Sequence, residues 1–257
     1  MTSLPHRSRL QSFSGIGIPR GLQNEPWLLI AGSCVVGILL WGIWDYRDRV
    51  DFGTGGTPPT IRGWFKVNRL RVVRAFSYLC GDDLQDASAL PRTGPRYLSS
   101  PIPRRPGGRP SLKPRTLPQR QSPEPIEPQA REALFKLMNR FYHEYPDILR
   151  LGLSKTEGGT ADAIYARSDR PTCNPVAAQV GYEIAHIHPA DKSLHVLLSP
   201  ADARTVIEAA WGQRFAVPSM VPPGWIMVYA PRNSEEVEVM AQIVRAAIQW
   251  TTGAKLD

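Results

Sequence analysis

The chain is poor in cysteine and lacks several common catalytic signatures. Its three cysteines, Cys34, Cys80 and Cys173, show neither metal-ligand nor redox-motif spacing. A disulfide framework is therefore not expected, which favours a domain that faces the cytosol. The pair Gly158-Gly159 lacks the flanking residues of a phosphate-binding loop. A nucleophile elbow and a paired-carboxylate motif are also missing, so the sequence does not point to the usual hydrolase chemistries.

The part of the sequence that is expected to fold also has no excess of positive charge. The formal net charge is +8, yet residues 129–257 carry 13 Lys/Arg against 14 Asp/Glu, whereas residues 91–128 carry 8 against 2. A nucleic-acid-binding domain would concentrate its cations on a folded face, so no nucleic-acid partner is predicted. The basic segment fits attraction to anionic membrane lipid, or merely keeps an unfolded stretch soluble.

One long uncharged run is present, in residues 26–44, after a polar tail of residues 1–25. Its length suffices to cross the hydrocarbon core of a bilayer, and tryptophans lie near both of its ends, where such rings favour the interface. A cleaved signal peptide and a buried core helix fit less well, because the run is long, starts late and is apolar all round. We expect a single transmembrane helix that stops at Asp45.

The region after this helix, residues 45–90, is basic. Lys66, Arg69 and neighbouring arginines favour a single-pass protein with a cytosolic C-terminal domain, for which the endoplasmic reticulum is a candidate membrane. Residues 64–79 alternate basic and apolar residues at helical spacing. This pattern predicts either an amphipathic helix on the membrane surface or a solvated helix.

Residues 91–128 contain 11 of the 25 prolines in the chain. Proline interrupts helices and sheet ladders, and the segment has little apolar surface with which to form a core. We therefore expect a disordered, semi-extended Pro/Arg-rich linker.

Residues 129–253 show the periodicities of one folded domain. Helices are predicted at 129–144, 200–211 and from 233 or 234 onward, and strands at 148–153, 163–166, 179–188, 194–198 and 225–230. Gly212 is expected to terminate the second of these helices in the left-handed conformation. The order predicts an α+β fold: a mostly antiparallel sheet with helices packed on one face, after the transmembrane helix and the linker.

Three of the five histidines lie within ten residues, at His186, His188 and His195. Residues two apart on a strand face the same side, and a four-residue turn at 189–192 would place His186 opposite His195. The three rings would then share one face, whereas a register shift of one residue would move His195 to the other. Such a cluster can supply a general base, bind a metal or serve as hydrogen-bonded structure.

Two further candidates are weaker. Trp211 and Arg214 follow a helix, where the arginine could hold an anionic ligand beside the indole ring. Arg232 lies where a strand enters a helix N-terminus, a place that suits anions. Ordinary core packing and capping account for each of them equally well.

The blocks EIAHIH, LH, WGQR and YAPRN, in this order, resemble the fungal luciferase domain over about residues 130–253. The resemblance implies oxidation of a hydroxylated styryl-pyrone, 3-hydroxyhispidin, by O₂ with loss of CO₂. It implies O₂ as co-substrate, no added organic cofactor and a small apolar metabolite as ligand. No metal-ligating residues are assigned, and a metal site would be a variant of the enzyme. A ligand-binding module without turnover and a membrane-tethered interaction protein are the alternatives.

Within this resemblance, the residues of this chain suggest a set of roles. A histidine would remove the enolic proton, an arginine would stabilise the anion, and aromatic side chains would keep the pocket dry. The predicted catalytic residues are His186, His188, His195 and Arg214. The predicted substrate-binding residues are Glu183, Trp211, Gln213, Trp225, Tyr229 and Arg232. Light-emitting members have a histidine after WGQR where this chain has Phe215, so light emission is not expected.

Overall fold

The computed structural model describes residues 25–256. The chain divides into two units, residues 1–48 and 49–257, and helix α1 (Pro26–Phe52) begins in the first and ends in the second. Among the described residues, α1 is the one helix long and apolar enough to cross a membrane, and none of its most apolar stretch is buried. It is thus a candidate membrane span, although a signal sequence would pass the same test.

Helix α1 extends further than the sequence suggests. The expected stop at Asp45 is wrong, because the helix continues through this charged stretch to Phe52. Charged side chains do not break a helix, whereas Gly53 adopts a φ of 107° and cannot continue it. The predicted polar tail falls almost entirely on residues 1–24, outside the described part of the chain.

The second unit contains helix α2 (Ile61–Leu79), which begins three residues before the predicted amphipathic segment. The side chain of Thr60 caps it by accepting a hydrogen bond of 3.1 Å from the backbone N–H of Gly63. Phe65, Val72 and Phe76 on this helix are exposed. Their spacing of seven and four residues places them on one side of α2.

A six-stranded sheet forms the centre of this unit. Its strands are β1 (Leu149–Leu153), β2 (Asp162–Ala166), β3 (Glu183–Ile187), β4 (Leu194–Leu197), β5 (Gly212–Arg214) and β6 (Trp225–Val228). Their spatial order is β1-β2-β3-β4-β6-β5, and all neighbouring strands are antiparallel. The predicted α+β fold is confirmed.

Three helices cover one face of this sheet: α3 (Pro128–Glu144), α4 (Pro200–Glu208) and α5 (Ser234–Thr252). Their buried residues form one cluster with Ile187, Leu194, Val196, Ile226 and Val228 of the sheet. Side-chain caps define where two of the helices begin. Ser199 accepts from the N–H of Asp202 at 3.1 Å, and Asn233 accepts from that of Glu236 at 3.0 Å.

The end of α4 differs from the prediction. The left-handed residue is Ala210, with a φ of 65°, and Gly212 is the first residue of β5, a strand that the sequence did not indicate. A Cβ atom at Gly212 would lie 2.3 Å from the carbonyl oxygen of Met227. Glycine is therefore needed here because β5 lies close against the neighbouring backbone at Met227, and it does not cap a helix.

The strand predicted at 179–188 is shorter in the structure. Residues Pro175–Val180 form a 3₁₀ helix that ends at Gly181, and β3 starts at Glu183. Gly181 and Tyr182 both have positive φ values, 63° and 64°, which an extended strand cannot accommodate. Residues 179 and 180 of the predicted strand thus belong to the 3₁₀ helix.

The proline-rich segment is also ordered, so the predicted disorder of residues 91–128 is wrong. Ile102, Arg105 and Gln121 are buried against the folded domain. Arg105 donates to the carbonyl oxygen of Ala230 at 3.0 Å, and Gln121 accepts from the N–H of the same residue at 2.8 Å. The prolines exclude helix and ladder, as expected, but polar side chains provide the contacts that the apolar content alone would not predict.

Candidate functional site

The three clustered histidines meet on one face of the β3–β4 hairpin. His186 pairs directly with His195, and the N–H of His188 donates to the carbonyl oxygen of Ser193 at 2.8 Å. The ring centroids of the three imidazoles lie 4.8–5.3 Å apart. The predicted register is confirmed.

The histidines occupy the sheet face opposite the helices. Leu194 and Val196, on either side of His195, belong to the core under the helices. Because successive side chains of a strand alternate between faces, His195 points to the other side. All three imidazoles are nevertheless buried, with at most 4% of their surface exposed. Loops and the proline-rich segment cover them.

Each imidazole is held through its Nδ1 atom. That of His186 lies 2.6 Å from the Glu183 carboxylate, that of His188 lies 2.8 Å from the Ser193 hydroxyl, and that of His195 lies 3.3 Å from the Ile226 carbonyl. A carbonyl and a carboxylate can only accept, and the Ser193 hydroxyl donates its own proton to Asp191 at 2.7 Å. The partners thus assign the proton of each ring to Nδ1.

This tautomer leaves the Nε2 lone pairs facing one another. The Nε2 atoms of His186 and His188 are 3.1 Å apart. The guanidinium of Arg120, which can only donate, lies 3.1 Å from Nε2 of His188 and supports the same assignment. One nitrogen atom from each of the three rings lies within 4.8 Å of the others.

Burial keeps the rings uncharged. It lowers the pKa of His186, against the opposing effect of Glu183, and it lowers the pKa of His188 and His195 well below the usual value. The positive charge of Arg120 lowers the pKa of all three further. The neutral imidazoles therefore keep lone pairs that can accept a hydrogen bond from a ligand or bind a metal ion.

Glu183 is fixed by a dense set of donors. Its carboxylate accepts from the hydroxyl of Ser154 at 2.7 Å, from that of Thr156 at 2.8 Å and from that of Tyr165 at 3.0 Å. Burial alone would raise the pKa of Glu183, but these hydrogen bonds and the one from His186 lower it below the usual value. The carboxylate is thus an ionised anchor for His186.

Three charged residues of this site were missed by sequence reasoning. Arg120 forms an ion pair with Glu157, and its Nε atom lies 3.9 Å from Asp191. Burial lowers the pKa of Arg120 to about 10 and raises that of Asp191. Arg120 comes from the segment for which disorder was predicted, and Glu157 precedes the glycine pair that lacks the features of a phosphate-binding loop. Neither position follows a motif or a periodicity.

A cavity of about 200 Å³ opens beside the histidines. Its polar wall includes His186, His195, Arg120 and Glu157. Its apolar wall includes Phe215 and Trp225, and the latter is stacked on His195 with ring centroids 5.8 Å apart. Such a cavity accommodates one small, flat molecule between an aromatic wall and proton-accepting nitrogens.

Several residues predicted for the site lie elsewhere. Arg214 does not line this cavity; it pairs with Asp82 and donates to the carbonyl oxygen of Asp83 at 2.6 Å. Arg232 pairs with Glu236 and donates to the carbonyl oxygen of Pro106 at 2.8 Å. The nearest carboxylates set the direction in which each arginine side chain points. The sequence pattern could not show which carboxylates these are.

The aromatic candidates divide in the same way. Trp225 lines the cavity, whereas the indole N–H of Trp211 donates to the carbonyl oxygen of Pro103 at 2.7 Å. The hydroxyl of Tyr229 donates to Gln213 at 3.2 Å, and Arg105 stacks over both Trp211 and Tyr229. Trp211 and Tyr229 therefore contact the proline-rich segment, and neither they nor Gln213 line the histidine cavity.

Comparison with known proteins places the chain in a family. A profile of the Luciferase domain matches residues 181–247. A luciferase of Armillaria gallica is 30% identical over 250 residues, which cover 90% of this chain and 91% of the relative. The chain belongs to the fungal luciferase family. A luciferase of Neonothopanus nambi is 31% identical over 222 residues, covering 81% of this chain and 80% of the relative. No solved structure matches the chain.

The range matched by the Luciferase domain contains most of the residues of the site. Residues 181–247 include the three histidines, Glu183, and both aromatic residues of the cavity wall. Arg120 and Glu157 lie before this range. The site of this luciferase-family chain therefore combines residues inside the matched range with two charged residues that precede that range.

Proposed function

We propose that the protein is a membrane-anchored oxygenase that acts on a small hydroxylated aromatic or pyrone with O₂ and without an organic cofactor. The observation that carries this proposal is the cavity in which uncharged imidazoles face an aromatic wall. An enolic substrate between them would meet a proton acceptor on one side and a water-excluding surface on the other. Membership of the fungal luciferase family supports the same class of reaction.

The residues suggest how such a reaction would proceed. Nε2 of His186 or His195 accepts the enolic proton, and the guanidinium of Arg120 stabilises the resulting enolate. Arg120 thus replaces Arg214 and Arg232, the residues that the sequence suggested for this role. The enolate carbon then bonds to O₂, which is reduced to the level of a peroxide. The peroxide attacks the lactone carbonyl carbon, the ring C–O bond breaks, and the ring oxygen leaves as an enolate that takes back the proton held by the imidazole. The four-membered peroxide ring then loses CO₂ with one oxygen atom of O₂, and the other oxygen atom stays on the product as a carbonyl oxygen.

The proposal is tested by oxygen uptake of the full chain in detergent with 3-hydroxyhispidin and with simpler catechols and pyrones. Of the variants His186→Ala and His195→Ala, the one that removes the base should lower kcat by about 10²–10⁴-fold, the usual contribution of a positioned base. His143→Ala is the matched control, because His143 is exposed on α3. Absence of uptake by the folded wild type with every compound would refute the oxygenase role, and unchanged rates in both variants would refute the role of the histidines.

We further propose that the reaction is dark. Phe215 lies against His195, with ring centroids 5.2 Å apart. The resemblance to the luminescent members implies a histidine at this position. A photon counter should record light from the Neonothopanus nambi luciferase with 3-hydroxyhispidin and only background from this chain, even when its oxygen uptake is measurable. Light above background from the wild type would contradict this expectation.

The membrane location rests on two helices. Helix α1 would span the bilayer once, with the folded domain in the cytosol and the endoplasmic reticulum as the candidate membrane. The exposed apolar side of α2, which includes Phe65, Val72 and Phe76, would lie on the membrane surface. Apolar substrates collect in that surface layer, so anchoring would raise their concentration near the cavity.

Two measurements test the location. Carbonate extraction should leave the full chain in the membrane fraction, whereas release into the supernatant would exclude a spanning helix. A chain of residues 49–257 should sediment with vesicles that contain anionic lipid, and a Phe65→Glu/Phe76→Glu variant should not. Equal sedimentation of the two would exclude the surface role of α2.

A further inference from the structure

We propose that His186, His188 and His195 bind a divalent transition-metal ion through their Nε2 atoms, with Glu157 as the fourth protein ligand. The sequence alone did not favour a metal here. The proposal concerns binding, and it holds or fails independently of the oxygenase activity.

The first argument is the contact between two lone pairs. Nε2 of His186 and Nε2 of His188 are 3.1 Å apart, and the acceptors at Nδ1 assign the proton of each ring to that atom. Two nitrogens without hydrogen repel each other at this distance unless a cation lies between them. With bonds of about 2.0–2.1 Å from nitrogen to metal, a separation of this size corresponds to a ligand–metal–ligand angle of roughly 95–100°. That angle lies between the ideal ligand–metal–ligand angles of octahedral and tetrahedral coordination.

The second argument is the way in which the rings are held. A histidine that binds a metal through one nitrogen usually donates its other N–H to a carboxylate, a carbonyl or a similar acceptor, which fixes the ring. All three rings have such an acceptor: Glu183, Ser193 and the carbonyl oxygen of Ile226. Ser193 in turn donates to Asp191. The supporting hydrogen bonds of a metal site are thus complete around all three histidines.

The third argument is charge. Glu157, Glu183 and Asp191 are buried around the histidines, and Arg120 is the one cation that pairs with this group among the described residues. The Oδ1 atom of Asp191 is buried without a hydrogen-bond partner. Buried carboxylates need compensating positive charge. A divalent ion together with Arg120 would balance the three carboxylates.

Glu157 is placed to complete the site. Its Oε2 atom lies 3.6 Å from Nε2 of His186, while its other oxygen holds Arg120. An ion bound by the three Nε2 atoms would compete with Arg120 for Nε2 of His188. The guanidinium would then withdraw from the ring and remain with Glu157 and Asp191.

The donor set indicates which ions would bind. Three neutral imidazoles and one carboxylate suit Zn²⁺, Fe²⁺ and Co²⁺ and do not suit Mg²⁺ or Ca²⁺, which prefer oxygen ligands. With an ion bound, Nε2 of His186 and of His195 would be occupied and could not accept the enolic proton. The ion would instead lower the pKa of an enolic substrate, in place of the proton transfer to an imidazole.

The test uses the full chain in detergent, purified without a polyhistidine tag, stripped with a chelator and dialysed against Co²⁺. We expect about one cobalt per chain and the visible absorption of cobalt with nitrogen ligands. His188→Ala should lose both, and His143→Ala, outside the cluster, should retain both. Ser193→Ala leaves every ligand in place and should weaken binding by about 10–100-fold, the usual cost of removing a supporting hydrogen bond.

Circular dichroism establishes that each protein is folded. The proposal would be overturned if the folded wild type bound none of Co²⁺, Zn²⁺ and Fe²⁺. It would also be overturned if the cobalt spectra of the wild type and His188→Ala were the same. If His188→Ala fails to fold, the comparison of Ser193→Ala with the wild type decides, since equal affinities would exclude this site. Oxygen uptake does not enter any of these outcomes.

Discussion

The guanidinium of Arg120 donates a hydrogen bond of 3.1 Å to Nε2 of His188, across 68 residues of sequence. Through this contact the proline-rich segment becomes part of the histidine site. The same guanidinium pairs with Glu157, which approaches from the loop between β1 and β2. A segment with the composition of a linker thus supplies the central cation of the candidate site.

The Arg120–Glu157 pair should be important for stability. Arg120→Ala leaves Glu157 buried without its partner, which should lower the free energy of unfolding by about 3–5 kcal/mol. Arg167→Ala, which removes an exposed ion pair with Asp169, should have a much smaller effect because solvent screens that pair. Urea unfolding followed by circular dichroism measures both. A double variant, Arg120→Met with Glu157→Leu, should recover part of the loss because no charge is left unpaired.

The neighbouring arginines Arg104 and Arg105 offer a matched comparison. Arg105 is buried, donates to the carbonyl oxygen of Ala230 and stacks over Trp211. Arg105→Ala should lower the free energy of unfolding by about 1.5–3 kcal/mol, as expected for a lost charged hydrogen bond. Arg104 is exposed, so Arg104→Ala should change it by less than about 0.5 kcal/mol.

Hydrogen exchange locates the effect of the Arg105 change. Backbone amides in residues 102–121 should exchange faster in Arg105→Ala than in Arg104→Ala, because the first variant releases the segment from the sheet. Equal exchange in the two variants would mean that Arg105 does not hold it.

Gly212 should not tolerate a side chain. A Cβ atom there would lie 2.3 Å from the carbonyl oxygen of Met227, so Gly212→Ala must push β5 away from β6. The expected loss is about 1–3 kcal/mol in the free energy of unfolding. Gly108→Ala is the control, since a Cβ atom at Gly108 meets nothing within 4 Å. Thermal unfolding should show a lower Tm for the first variant only, and equal Tm values would contradict the strand assignment.

Removal of the proline-rich segment should open the histidine cavity. A chain of residues 125–257 lacks Arg120 and Gln121, whereas a chain of residues 49–257 keeps both. The shorter chain should melt at a lower temperature, and its clustered histidines should react faster with diethylpyrocarbonate. His143 is exposed on α3 and provides the internal reference for reactivity. If both chains protect the cluster equally, the segment does not cover it.

The parts of the fold that follow local rules could be predicted from the sequence. Apolar periodicity located α3 and α5, and the helix starts predicted at 200 and at 233 or 234 coincide with the caps Ser199 and Asn233, whose side chains accept from nearby backbone N–H groups. The pairing of His186 with His195 followed from a four-residue turn and from strand alternation. These features depend on residues close in sequence, so a pattern is sufficient to find them.

Features that depend on distant contacts could not be predicted. Strand β5 has three residues and exists because Gly212 fits against β6, which no local pattern reveals. Arg214 and Arg232 resembled ligand-binding cations, but their direction is set by Asp82 and Glu236. Arg120 appeared to be one more arginine of a soluble linker.

The sequence by itself determined the apolar helix, the α+β domain and the common face of the three histidines, because each of these arises from the spacing of neighbouring residues. Only the tertiary structure decided which groups surround those histidines. Nothing in the order of residues ties Arg120 or Glu157 to His188, and the contacts form because buried charges must find partners wherever the folded chain brings them. The chemistry of the site therefore depends on residues that its sequence motif does not contain.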